Sequence, residues 1–140
     1  MSLPAVLAPL FVQVALTFVL LVWLAYQRVT LIGAGAVKRE DIALREPNWP
    51  PRTLQIQNSV SNQLEVPVLF YVLTILAIVT RHADLLFVVL AWVFVLLRLV
   101  HAYIHVTSNE VQRRGLVFIT SATVLMVMWA IFMLRILLEF

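Results

Sequence analysis

The sequence predicts an all-α integral membrane protein, a bundle of four transmembrane helices. Of its 140 residues, 63% are hydrophobic and only 12% are charged, and the mean hydropathy is +1.00. Soluble domains are about 45–50% apolar and about 25% charged, so a water-soluble fold of this length could not cover so much apolar surface. Four apolar runs separated by polar breaks fill the chain. We therefore expect one membrane domain over residues 1–140.

The first span is predicted over about residues 3–25, which contain no charged side chain. A bilayer core requires about 20 apolar residues, and Pro4 and Pro9 fall where an early helical turn tolerates proline best. A cleaved signal peptide is the alternative. It is disfavoured because no basic residue precedes the run, the run is too long and no small-residue cleavage site follows it.

The longest polar stretch, residues 27–58, is predicted to be an ordered loop with a short helix near residues 37–44. Three further spans follow at about 59–80, 85–105 and 115–135. Asp84 is placed to cap the third of the four helices.

The orientation is predicted from the basic residues of the loops. One side of the membrane receives most of them, namely Arg28, Lys38, Arg39, Arg45, Arg52, Arg113 and Arg114, whereas the other side has Arg81 and Arg135. The positive-inside rule then places both termini on the non-cytoplasmic side and the long loop in the cytoplasm. In a bacterium the protein would lie in the inner membrane with periplasmic termini, and in a eukaryotic endomembrane the termini would be lumenal.

Several classes of function are disfavoured by composition. The chain has no cysteine, so it has no disulfide, no thiolate metal ligand and no cysteine nucleophile of its own. Three histidines are too few for a di-iron cluster, and no metal is expected. No basic cluster with interleaved aromatic residues is present, so no nucleic-acid partner is expected.

The polar residues inside the spans carry the functional signal, because a charge in a transmembrane helix costs a few kcal/mol and is a functional candidate by default. Glu65 lies about 10 Å into the second span at 1.5 Å per residue, and Arg98 lies at a matching depth in the third. Arg98, His101 and His105 follow the spacing i, i+3, i+7, so they share one face of the third helix. The predicted pocket is polar, largely basic and suited to an anionic ligand, and it comprises Asn62, Glu65, Arg98, His101 and His105, with Arg113 and Arg114 close by.

Each of these residues also has a purely structural interpretation. Glu65 and Arg98 would form a buried ion pair that ties two helices together. Asn62 would hydrogen-bond a neighbouring helix, and His101 and His105 could form half of a metal site. Arg113 and Arg114 would be a positive-inside anchor.

Two segments resemble a known family. The segment Asn62 to Phe70, NQLEVPVLF, is similar to the N-x-x-E-x-P signature of the MAPEG family, the membrane-associated proteins of eicosanoid and glutathione metabolism. The segment Arg98 to His105, RLVHAYIH, followed by Arg114, resembles the third-helix block of that family and the arginine that opens its fourth helix. The resemblance covers the whole chain.

The resemblance implies a homotrimer with glutathione bound between adjacent subunits. Asn62, Glu65 and His101 would line the glutathione site, with His105 and Arg113 in the same basic pocket. Arg114 would be catalytic by stabilising the glutathione thiolate, since a nearby cation favours the ionised thiol. Arg28 would meet glutathione carboxylates from the end of the first helix, and Arg98 would pair within the bundle.

Three positions depart from the better-studied enzymes of this family. Ser61 replaces a basic residue, His105 replaces a tyrosine and Phe118 replaces an aromatic hydroxyl. The pattern is more similar to the bacterial branch of the family.

The resemblance implies a glutathione-dependent transferase or peroxidase that takes a lipophilic electrophile from the lipid bilayer. One alternative is a non-enzymatic membrane subunit that has kept the fold. The other is a small proton-coupled exporter that uses Glu65.

Overall fold

The computed structural model describes residues 1–139 and is helical throughout its regular elements. In chain order the helices are α1 (Leu3–Gly33), α2 (Pro51–Gln63), α3 (Val66–Val79), α4 (Leu85–Val106) and α5 (Val111–Leu138), with one 3₁₀ turn at Arg39–Asp41. Four stretches are long and apolar enough to cross a membrane, when α2 and α3 are taken together as Pro51–Val79. The predicted all-α, four-span class is therefore confirmed.

Helix α1 is longer than the predicted first span and continues to Gly33. The Ser2 hydroxyl caps its first turn by accepting from the Ala5 amide at 3.4 Å. Gly35 has φ +75, a left-handed conformation that glycine adopts without strain, and the chain leaves the helix there. Because α2 already begins at Pro51, the connecting loop is shorter than the predicted 27–58.

The predicted second span is divided into α2 and α3 by a break at Leu64–Glu65. Pro67 has no amide hydrogen, so it cannot donate to the carbonyl of Gln63 four residues earlier. A bend at this proline is expected, but the structure instead ends one helix and starts another. Non-helical backbone at membrane depth is tolerated only where it is buried in protein or lines a polar cavity.

Helices α4 and α5 pack together, and an ion pair between Asp84 and Arg135 joins them at the end of the molecule opposite the first loop. Asp84 caps α4 by accepting from the Phe87 amide at 3.0 Å, as predicted, and its other oxygen lies 2.8 Å from Arg135. Helix α4 is the central helix, since Ala91, Phe94 and Arg98 are all fully buried.

The core has two apolar clusters with a polar layer between them. One cluster surrounds Phe70 and Phe94, whose ring centroids lie 5.0 Å apart, and the other surrounds Ile56 and Ala102. The polar layer contains fully buried Gln13 and Gln63, which hydrogen-bond at 2.8 Å, and Arg98. This layer and the nearby helix break position the site described next.

Candidate functional site

Most of the residues singled out in the sequence meet in one open pocket of about 420 Å³. It lies between the α2–α3 break, the last turns of α4 and the first turns of α5. Its lining is predominantly polar and consists of Asn58, Ser61, Asn62, Glu65, His101, His105, Arg114, Gly115 and Phe118. We call this set of residues the polar pocket.

Arg98 lies beneath the polar pocket rather than in its wall, and it is fully buried. Its guanidinium donates to the Asn62 side-chain oxygen, to the Asn62 main-chain carbonyl at 3.4 Å and to Gln63 Oε1 at 3.4 Å. A cation at the end of a helix offsets the partial negative charge of its unpaired carbonyls. Arg98 therefore caps the C-terminus of α2 and fixes Asn62 at the pocket floor.

The sequence predicts a salt bridge between Glu65 and Arg98, and the structure corrects this prediction. Within residues 1–139 no salt bridge joins these two side chains. The helix break is the physical reason, because it directs the Asn62 amide towards Arg98 while Glu65 is exposed and lines the pocket. Glu65 and Arg98 were paired because they lie at the same depth in two helices. Depth alone did not show that Asn62, rather than Glu65, contacts the Arg98 guanidinium.

The two histidines of α4 form one wall of the polar pocket. His101 and His105 are 2% and 6% exposed, and their ring centroids lie 5.4 Å apart. The His101 ring also packs against Phe118 at 5.8 Å. The Nδ1 atom of each ring is buried and has no hydrogen-bond partner in the described part of the chain, so both imidazoles keep unused polar capacity beside the pocket.

The adjacent arginines at the start of α5 have different environments. Arg114 is half-buried, lines the polar pocket and donates to the Asn109 side-chain oxygen. The Arg113 side chain is 76% exposed and pairs with Glu110 at 3.2 Å on the surface. Arg113, which was expected to bind a ligand, is not part of the polar pocket lining.

Arg28 lies in a second pocket of about 370 Å³. Its guanidinium lies 5.2 Å from the centre of the Trp49 ring and donates to Gln57 Oε1. The other lining residues of this Arg28 pocket are Leu21, Leu24, Ile42, Arg45, Glu46, Val60 and Ser61. The structure of the single chain therefore does not bring Arg28 together with Asn62 or Arg114, although Ser61 lines both pockets.

An apolar groove of about 370 Å³ lies between α3 and α5. It is lined by Val66, Leu69, Ala122, Leu125, Met126, Trp129, Ala130 and Met133. Val66 follows Glu65 directly, and Ala122 lies one helical turn beyond Phe118. The near end of the groove is therefore next to the polar pocket along both chain segments, although the two cavities share no lining residue.

The polar pocket also contains residues that the sequence analysis did not select for binding. Asn58, Asn62 and Glu65 have the spacing i, i+4, i+7 of a single helical face, a signal that could have found Asn58. Phe118 and Ser61 were noted only as departures from a family pattern. Across residues 1–139 no group of three or more His, Cys, Asp or Glu side chains could hold a metal ion.

These features define a multi-pass membrane protein of four apolar spans with a polar pocket at one end of the bundle. The chain matches the MAPEG family over residues 6–134, nearly its whole length, and it belongs to that family. Searches of curated proteins and of solved structures gave no significant match.

Proposed function

We propose that this protein is a glutathione-dependent transferase or peroxidase that acts on lipophilic electrophiles. The observation that carries the proposal is the convergence of Asn62, Glu65, His101, His105 and Arg114 on one pocket of about 420 Å³. This volume is within the roughly 300–1,000 Å³ of typical small-molecule sites. Membership of the MAPEG family supports it.

The chemistry of the polar pocket suits a small zwitterionic peptide with a thiol. Glu65 can pair with an α-ammonium group, and Asn58 and Asn62 can hydrogen-bond peptide amides. Arg114 can stabilise a thiolate, since a cation lowers the free energy of the ionised thiol. Because the chain has no cysteine, the nucleophilic sulfur must come from the co-substrate.

The apolar groove supports a lipophilic second substrate. Its lining is almost entirely apolar, and it begins beside Glu65 and Phe118 at the polar pocket. An apolar chain lying against Leu125 and Trp129 would place its electrophilic end near Arg114. Such a substrate would partition from the bilayer, while the hydrophilic thiol would come from the aqueous phase.

We further propose that the complete site forms between subunits of a homotrimer. The Arg28 pocket and the polar pocket share Ser61, so they open on two sides of α2. In a ring of identical subunits with head-to-tail contacts, the Arg28 pocket of one copy can face the polar pocket of the next. The excess of basic residues in the first loop favours the cytoplasm for this end of the bundle.

Purified full-length protein in lipid nanodiscs tests the proposal by calorimetry with reduced glutathione. We expect saturable binding in the wild type and weaker binding in Asn62→Ala. Arg114→Ala should largely keep binding but lose the ultraviolet absorbance of the bound thiolate. His82→Gln is a matched control, since His82 lies at the opposite end of the bundle. Absence of glutathione binding in the wild type would contradict the proposal and favour a non-enzymatic membrane subunit.

A further inference from the structure

The Asn62 carboxamide lies between the polar pocket and the buried Arg98 guanidinium. Its oxygen accepts a hydrogen bond from Arg98 Nη2, and the residue lines the polar pocket. A carboxamide has two different ends, because its oxygen only accepts hydrogen bonds and its nitrogen only donates them. With the oxygen turned to Arg98, the nitrogen is the end that remains for a ligand.

The opposite orientation of this carboxamide is excluded by the chemistry of arginine. A guanidinium has five N–H donors and no acceptor, so a reversed Asn62 amide would place its N–H groups against those of Arg98. Arg98 is fully buried and pairs with no carboxylate within residues 1–139. Reversal would therefore take an acceptor away from a buried cation, which is costly.

Hydrogen bonds to Gln63 hold the Arg98 guanidinium in place. Gln63 Oε1 accepts from Arg98 Nη2 at 3.4 Å and from Gln13 Nε2 at 2.8 Å. Gln63 Nε2 donates to the Ser59 carbonyl at 3.2 Å. All four of these residues are fully buried. Because α1, α2 and α4 all contribute to this network, the guanidinium cannot turn away from Asn62 without breaking contacts between helices.

The Asn62 amide nitrogen is free to bind a ligand. It makes no hydrogen bond within residues 1–139, and it is not buried. Its two N–H groups are therefore accessible from the polar pocket, whose lining also includes Arg114 and Glu65. Asn62 and Arg114 present donors, whereas an ionised Glu65 presents only acceptors. The polar pocket thus has a fixed pattern of donors and acceptors.

We propose that Arg98 is a positioning residue that makes Asn62 act only as a donor in the polar pocket, so that the group bound at Asn62 is an oxygen acceptor. The inference rests on the proposed function for the identity of the ligand, glutathione. A carboxylate or peptide carbonyl oxygen of glutathione lies at Asn62, and its α-ammonium group lies at Glu65. A ligand that presents an N–H group to Asn62 is disfavoured, because two donors would then face each other.

The Asn62→Asp variant tests the direction of the carboxamide. The carboxylate keeps the oxygen that Arg98 requires and replaces the amide nitrogen with a second acceptor. Because the contact with Arg98 becomes a charge-assisted pair, we expect the melting temperature in nanodiscs to equal or exceed that of the wild type. The dissociation constant of reduced glutathione, measured by calorimetry, should rise about tenfold or more, because two acceptors would then face each other.

Asn58→Asp is the matched control for the added negative charge. Asn58 lines the same pocket one helical turn before Asn62, but within residues 1–139 it has no hydrogen bond to Arg98. This variant should lose less glutathione affinity than Asn62→Asp, and its melting temperature should not rise. Equal losses of affinity in the two variants would assign the effect to charge and overturn the inference.

Arg98→Gln tests whether Arg98 acts through the direction of Asn62. Glutamine has an acceptor as well as donors, so it lets the carboxamide reverse, and we expect glutathione affinity to fall about fivefold. A carboxylate is the same either way round, so adding Arg98→Gln to Asn62→Asp should change affinity by less than about twofold. Arg98→Lys, which like arginine has donors only, should stay within about threefold of the wild type.

The outcomes separate this inference from the proposed function. Wild-type glutathione affinity in Asn62→Asp would show that the amide nitrogen does not contact the ligand, and a melting temperature clearly below wild type would show that the oxygen does not face Arg98. Equal losses from Arg98→Gln in both backgrounds, or equal affinities of Arg98→Gln and Arg98→Lys, would mean that Arg98 does not act through Asn62. Each result overturns the inference while glutathione binding by the wild type stands, and the Asn62→Asp result holds even if an Arg98 variant does not fold. Absence of glutathione binding by the wild type would overturn the proposed function and, with it, the ligand assigned to Asn62.

Discussion

The hydrogen bonds of the Arg98 guanidinium join α4 to the C-terminal end of α2. Its Nη2 atom donates hydrogen bonds to the Asn62 side-chain oxygen, the Asn62 carbonyl and Gln63 Oε1. Its Nε and Nη1 atoms have no protein partner in residues 1–139. A buried charge with incomplete hydrogen bonding is costly. It is retained here at the point where the backbone of a transmembrane segment is broken.

A double-mutant cycle measures which residue Arg98 interacts with. We expect a coupling free energy of about 1.5–3 kcal/mol between Arg98→Met and Asn62→Ala, the usual range for a hydrogen bond to a charged group. The coupling between Arg98→Met and Glu65→Gln should be smaller, since no salt bridge joins them. Denaturant unfolding in mixed micelles gives both values. The larger coupling at Glu65 would show that the ion pair predicted from depth is correct after all.

Asp84 gives a prediction of pH dependence at the opposite end of the bundle. Partial burial raises the pKa of Asp84, but the hydrogen bond from the Phe87 amide and the Arg135 guanidinium outweigh it and lower the pKa below 3.8. A carboxyl with a lowered folded-state pKa contributes stability above its unfolded pKa and loses it as the pH falls through the folded one. The melting temperature should therefore fall below about pH 4.

The Asp84→Asn variant is the control for this effect, because it keeps a capping oxygen without the titratable charge. Its melting temperature should change less with pH in the same range. An acid-induced loss as large as that of the wild type would assign the effect to other carboxyl groups.

At the scale of helices, the sequence predicted the spans better than their ends. Low charge and apolar run length found all four membrane-spanning stretches, because the bilayer imposes both. The first helix was underestimated because Gln27 and Arg28 were taken as its end, although polar residues readily occupy a helix that extends beyond the hydrocarbon core. Pro51, which starts α2 at a favourable proline position, was assigned to the loop.

The break between α2 and α3 should depend on Pro67. Replacing it with alanine supplies the missing amide for the Gln63 carbonyl and removes the steric conflict with the preceding turn. We expect Pro67→Ala to extend α2 towards α3, turn Glu65 away from the polar pocket and weaken glutathione binding about tenfold or more, while stability is kept. Calorimetry and thermal unfolding measure the two effects.

Pro4→Ala provides the matched control, since Pro4 lies exposed in the first turn of α1 and interrupts no interior hydrogen bond. It should leave binding unchanged. Wild-type affinity in Pro67→Ala would show that the break does not position Glu65.

At the scale of the whole molecule, the composition of the polar pocket was largely predictable, but its internal contacts were not. Helical periodicity and depth brought Asn62, Glu65, His101 and Arg114 together correctly. They did not reveal that Arg98 bonds Asn62, because side-chain direction at a helix break follows from local backbone geometry. They also could not place Arg28, whose separation from the polar pocket depends on how the first loop folds over α1.

Mixed assemblies test whether Arg28 completes the polar pocket of a neighbouring subunit. In a head-to-tail ring, a site would combine Arg114 of one copy with Arg28 of the next. Arg28→Ala and Arg114→Ala homo-oligomers would each lack one group in every site. Random mixing of equal amounts would restore both groups in about one quarter of the sites, because each position is filled independently.

The measurement is thiolate absorbance and transferase activity in membranes from cells that co-express the two variants with different affinity tags. Purification through both tags selects mixed assemblies, and the same variants purified separately and then combined without subunit exchange give the baseline. Recovery well above that baseline requires a site shared between subunits, since neither variant can supply both arginines to one site. No recovery in assemblies shown to contain both chains would mean that Arg28 acts within its own subunit, where its pocket is separate from the polar pocket.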